Sequence, residues 1–200
     1  MEKQMIISIS REFGSGGHEI AKMISKDLGL TLYDRALLDK VAEEKGMEPE
    51  LVERYDEKPR NPFLSRRVGD HSNSIAEHIA QMQFEYIKEK ADSGESFVIV
   101  GRCAETILKR YPGLISIFVL SNREEKLAFT QEKYQLSAQE AAFKMNRHDW
   151  HRKTYHNTYS DFRWGDSRGY DICINSGSLG IEGTAKALEA YIEQRKNAML

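Results

Sequence analysis

Three glycines, Gly14, Gly16 and Gly17, follow an apolar β-type run at residues 5–10. They precede a stretch in which Ile20, Met23, Ile24 and Leu28 recur at helical spacing, closed by Gly29. A glycine-rich turn between strand and helix lets backbone N–H groups approach an anion, because glycine takes positive φ without a Cβ clash. The helix N-terminus adds partial positive charge. This spacing suits phosphate binding by Gly14, Ser15, Gly16, Gly17 and His18; a turn kept tight for packing alone is the other reading. The stretch departs from the usual pattern of glycine, four residues, glycine, lysine and a hydroxyl residue. With Gly16 at the second glycine, Gly17 stands at the lysine position and His18 follows it. After the turn no lysine follows until Lys22. Arg11, at the strand end, is placed to supply the missing charge. Glu19 can hold magnesium through water, or serve only as a favourable helix-start carboxylate.

A second group of residues suits anions. Residues 143–168 carry Lys144, Arg147, Arg152, Lys153, Arg163 and Arg168 against Asp149, Asp161 and Asp166. The same stretch holds both tryptophans, Trp150 and Trp164, and His148, His151 and His156. Local positive charge in a chain of formal charge −2 points to an anionic ligand. In phosphoryl transfer, catalysis is mostly positioning and charge stabilisation, which arginines on a closing segment supply. A solvated basic helix with packing or dimer-forming aromatics is the competing reading. The histidines lack ligand partners at zinc-like spacing.

The elements that would position these groups alternate along the chain. Strands are predicted at 5–10, 30–33, 96–100, 114–120 and 170–174. Helices are expected from about 18, from Asp34, from about 75, at 122–135, at 137–158 and at 180–195. Two prolines, Lys58, Arg60, Arg66 and Arg67 and no periodicity mark 56–74 as an irregular exposed connection. Five apolar strands alternating with helices predict an α/β fold, a five-stranded parallel sheet between two helical layers. Two hundred residues, 40% hydrophobic and 30% charged, fit one folded domain.

The same numbers exclude some classes. The chain lacks an extended basic face for nucleic acid and any segment of ~20 apolar residues for a membrane. The N-terminal residues carry no secretion pattern, so a cytoplasmic location is expected, with Cys103 and Cys173 reduced.

The stretches ISISREFGSGGHEIAKMISKDLG (7–29), VIVGRCAE (98–105), WGD (164–166) and YDICINSGSLGIEGTAKAL (170–188) resemble the cytidylate kinase-like family. The resemblance implies a P-loop kinase type of fold using ATP and Mg2+, with an acceptor-binding insert at about 56–74 and a helical lid at about 143–168. By resemblance RHDWHR (147–152) corresponds to the lid motif, with Arg147, Asp149 and Arg152 matching in residue type. Asp34, Arg35 and Arg102 fall at acceptor-side positions, and Arg60, Arg66 and Arg67 are candidate anion ligands in the insert. Cys103 stands where cytidylate kinases carry an acidic residue. Three functions are carried forward. The first is a phosphotransferase from ATP to a small phosphorylated acceptor, foremost a nucleoside monophosphate such as CMP. There Arg11, Arg147 and Arg152 act on the phosphates, while Arg35, Arg60 and Arg102 orient the acceptor, with Asp34 and Asp149 also on the substrate side. The second is a nucleotide-binding sensor without catalysis, and the third a kinase for a non-nucleotide metabolite.

Overall fold

The computed structural model describes residues 4–44, 46, 48, 50, 67–68, 71–72 and 74–198. Strand β1 (Ile6–Arg11) is flanked by β5 (Phe97–Val100) and β6 (Leu114–Leu120); β2 (Thr31–Tyr33) and β7 (Ile172–Asn175) lie at the edges. All four pairings in this sheet are parallel. The order β2-β5-β1-β6-β7 brings the carboxyl ends of β1 and β5 side by side. In open α/β sheets, ligands bind at that edge.

The helices are α1 (Gly17–Asp27), α2 (Arg35–Glu44), α3 (Ile75–Asp92), α4 (Ala104–Ile107), α5 (Arg123–Tyr134), α6 (Ala138–Tyr159) and α7 (Gly180–Ala198). Strand alternation sorts the core into two layers. Ile7, Ile9, Val98, Val100, Ile115 and Ile117 pack with Ile20 and Ile24 of α1 and Leu188 and Ile192 of α7. Ile6, Phe97 and Ile99 pack on the opposite face with Leu38, Ile87 and Leu108. The predicted fold class is therefore observed. Ser8 and Ser10 share the second face with Ile6 by the same alternation, and both are buried. Two buried hydroxyls on a core strand require partners.

The insert expected at 56–74 lies outside the described residues, except for an antiparallel pair, β3 (Arg67–Val68) with β4 (His71–Ser72), and Ser74. The helix expected at 137–158 runs to Tyr159 and starts with a capping box. Ser137 accepts from the Glu140 N–H, and the Glu140 carboxylate accepts from the Ser137 N–H. Strand β7 begins two residues later than predicted, because a 3-10 turn at Ser167–Gly169 ends at Tyr170. Both cysteines are free thiols. Among the described residues, no helix is long and apolar enough to cross a membrane.

Candidate functional site: two clefts at the carboxyl ends of β1 and β5

The glycine-rich turn leaves β1 at Arg11 and enters α1 at Gly17. Gly14 and Gly16 have φ of 82° and 71°, the left-handed region that favours glycine. They are also sterically required. A Cβ at Gly14 would lie 2.8 Å from the Lys126 carbonyl oxygen, and one at Gly16 2.7 Å from Ile181. The packing reading of these glycines is thus met alongside any binding role. No side chain caps the N-terminus of α1, which leaves its first-turn N–H groups facing the turn.

The missing lysine has a geometric counterpart. A Cβ on Gly17 would stand 2.6 Å from Arg11 Cβ and 3.1 Å from its Cγ. The Arg11 stem therefore fills the space where a side chain at 17 would begin. Arginine at 11 and glycine at 17 form a matched exchange.

Helices α5 and α6 close over the turn. The Phe13 ring stacks with Tyr134, at 5.7 Å, and with His148, at 4.5 Å. Its N–H donates to Asp149 Oδ1 at 2.7 Å. Arg152 lies 5.5 Å from the Phe13 ring centre and donates to the Arg11 carbonyl at 3.3 Å. Lys126 Nζ pairs with Glu12 at 2.8 Å and reaches Asp149 at 4.0 Å, while Lys133 pairs with Glu19. Burial pushes the Asp149 carboxyl up, against the opposing pull of the Phe13 N–H and the Arg152 charge.

His148 is held neutral by this packing. Burial foremost, then the Arg152 and Lys144 cations, push its pKa down to about 4 from 6.5. Between those values the unfolded chain binds a proton that the folded one does not. The contact therefore contributes its full stability above pH 6.5 and loses it as pH falls toward 4. Burial also lowers His18, beside Lys22, and acts in the same direction. Thermal unfolding at about pH 7.5 and about pH 5 should show a falling Tm, less steep in His148→Gln. An identical slope in that variant would remove His148 as the cause.

Two clefts meet at this point. The first follows the turn and α1, with Gly14, Gly16, Gly17, His18 and Glu19 in its wall and Lys133 opposite. The second lies over the end of β5, walled by Ser10, Arg102, Cys103, Tyr155, His156 and Trp164. Arg11 and Arg152 line both. Residues 101–103 all have positive φ, including the non-glycines Arg102 and Cys103, at 63° and 52°. Such strain concentrates at functional sites. Arg102 is 2% exposed.

The sequence candidates divide accordingly. Arg11, Gly14, Gly16, Gly17, His18, Glu19, Arg102 and Arg152 line the joined clefts, with Ser15 buried inside the turn. Arg147 does not join them. It is exposed and borders a separate groove with Phe143 and Lys144. Asp149 is engaged by the turn backbone. Asp34 accepts from the Leu37 N–H at the start of α2 and lies 3.6 Å from His18, and half-exposed Arg35 pairs with Asp39. Arg60 and Arg66 lie outside the described residues.

One group escaped sequence reasoning. Glu105 of α4 is buried, and its Oε2 accepts from Ser8 and Ser10 Oγ, each at 3.3 Å. Its Oε1 lies 2.8 Å from His156 Nε2, and the Tyr170 hydroxyl is 3.4 Å from that nitrogen. The signal was present in ISIS, two polar residues on one face of a core strand, but its partner lies 95 residues away.

The sheet order and the strand–turn–helix at its centre define the P-loop kinase fold. A shikimate kinase structure from Bacteroides thetaiotaomicron shares that fold at a TM-score of 0.55 and 14% identity, covering 94% of this chain and 98% of its own. The chain belongs to the cytidylate kinase-like family, whose sequence profile matches residues 6–178. A cytidylate kinase from Archaeoglobus fulgidus is 26% identical over 193 residues, 96% of this chain and 97% of that enzyme. The crystal structure of an uncharacterized protein from Eubacterium ventriosum is similar at a TM-score of 0.76 and 37% identity, covering 95% of this chain and 99% of that one.

Proposed function

We propose that this kinase-family protein transfers the γ-phosphoryl group of ATP to a small phosphorylated acceptor, with a nucleoside monophosphate such as CMP the first to test. The observation that carries this reading is that Arg11 and Arg152 line both clefts. A phosphoryl group passing from a donor in the first cleft to an acceptor in the second would stay beside both arginines. The charge it spreads over its oxygens is what such groups stabilise.

In this reading the N–H groups of residues 14–18 hold the donor phosphates, and Arg11 supplies the charge usually given by lysine. Arg102 receives the acceptor's anionic group, and Arg147 takes no part. Magnesium would arrive with ATP. Among the described residues no cluster of three ligand side chains exists, which fits an ion held chiefly by phosphates and water. Glu19, in the wall of the first cleft beside Lys133, would meet it through water. The clefts hold about 60 and 20 Å³, and movement of α5 and α6 away from the turn would widen them for substrates.

A product-resolved assay with MgATP tests the proposal, using nucleoside monophosphates and phosphorylated non-nucleotides as acceptors. Formation of a phosphorylated product is the expected outcome. ATP binding without any product would sink the phosphotransferase and favour a nucleotide sensor, the reading supported by the altered turn and the closed helices.

A further inference from the structure

An acceptor that is already a phosphate anion needs no base, yet the second cleft contains one. His156 lines it beside Arg11, Arg102 and Arg152. The residue is 4% exposed, and its Nε2 lies 2.8 Å from Glu105 Oε1. With Nε2–H donating to that carboxylate, the lone pair of the neutral ring sits on Nδ1. His156 Nδ1 is buried and has no hydrogen-bond partner. Glu105 is in turn fixed by Ser8 and Ser10 from the central strand. A nitrogen base oriented by a buried carboxylate, itself held by a rigid element, is the arrangement that activates a hydroxyl. The other polar or charged groups facing His156 are the Tyr170 hydroxyl, kept protonated by burial and the nearby Glu105 charge, and those of Ser10 and Tyr155 in the cleft wall.

We infer that His156 is a general base and that the group phosphorylated is an alcohol hydroxyl on a molecule also carrying an anionic phosphate or carboxylate. The inference rests on the phosphotransfer reading above and moves the accepting group from a phosphate to a hydroxyl. The acceptor's O–H bond breaks and its proton passes to His156 Nδ1 as the oxygen bonds to the γ-phosphorus. The bond from that phosphorus to the β–γ bridging oxygen breaks, and its electron pair leaves with ADP. Glu105 balances the imidazolium until the proton returns to water. Arg102 holds the acceptor's anionic end, and Arg11 and Arg152 hold the moving phosphoryl group.

The second cleft holds about 20 Å³, and water is the smallest acceptor that can be offered to it. The experiment uses the full chain with MgATP and four acceptors: water alone, glycerol 3-phosphate, glycerate and CMP. The phosphorylated atom is identified in each product, and ATP affinity is measured separately. Wild type is expected to phosphorylate a hydroxyl of an added probe or to hydrolyse ATP. His156→Gln, whose amide can still donate to Glu105, should lower that kcat about 10²-fold with ATP affinity unchanged. Because His156 is buried, a second variant guards against misfolding: added imidazole should restore activity to His156→Ala, which a purely structural role would not permit. Faster transfer to glycerol 3-phosphate than to glycerate assigns a phosphate to the Arg102 end, and the reverse assigns a carboxylate. Equal rates of CDP formation in wild type and His156→Gln would overturn the base while leaving phosphotransfer standing. ATP binding with neither hydrolysis nor transfer would also overturn it. Absence of ATP binding would remove the phosphotransfer reading itself.

Discussion

Arg11→Ala is expected to lower kcat/KM for phosphoryl transfer by about 10³-fold, the scale of a guanidinium on a transferring phosphoryl group, with the fold retained. The residue ends β1, and its contribution to that strand is through the backbone, which alanine keeps. Its carbonyl still accepts from Arg152. What disappears is the charge shared by the two clefts. The sharper form of the experiment uses the exchange with Gly17. Lysine at 17 alone meets the Arg11 stem at 2.6 Å, so Gly17→Lys should lose both activity and stability. Combining it with Arg11→Gly removes the collision and restores the glycine and the lysine of the usual loop pattern, with His18 still at its hydroxyl position. The double variant should therefore recover activity relative to either single change, a strongly non-additive result for neighbouring sites. Additive losses would show that Arg11 does not stand in for the lysine.

Glu105→Leu is expected to destabilise the fold by about 3–5 kcal/mol, because it strands buried partners that cannot reach water. Ser8, Ser10 and His156 all point to this one carboxylate, and all are buried. For a chain of this size the corresponding fall in Tm is about 10 °C. Glu105→Gln keeps an acceptor oxygen and should cost less than half as much. Urea unfolding of the two variants decides the point: equal, small losses would mean that the serines and histidine find other partners. The same pair of variants separates stability from chemistry, since a folded Glu105→Gln still lacks the charge that balances His156.

Local order was open to sequence reasoning because it depends on nearest neighbours. The run at 114–120 is apolar except for Ser116 and carries three β-branched residues, and β6 has those bounds. Ser137 and Glu140 stand at capping-box spacing, and α6 begins just after Ser137. The glycine-rich turn, the exchange of lysine for glycine and the family resemblance were likewise readable from adjacent residues. The tertiary structure alone separated Arg152 from Arg147, two arginines of one motif. Five residues along a helix differ by 500°, or 140° after a full turn, so the two leave α6 in different directions. One meets the turn and the other a separate groove. It also gave Asp149 to the Phe13 backbone and joined Ser8 and Ser10 to Glu105 and His156. Those partners lie 51 to 136 residues apart, and no local periodicity encodes which of many polar side chains a folded sheet brings together.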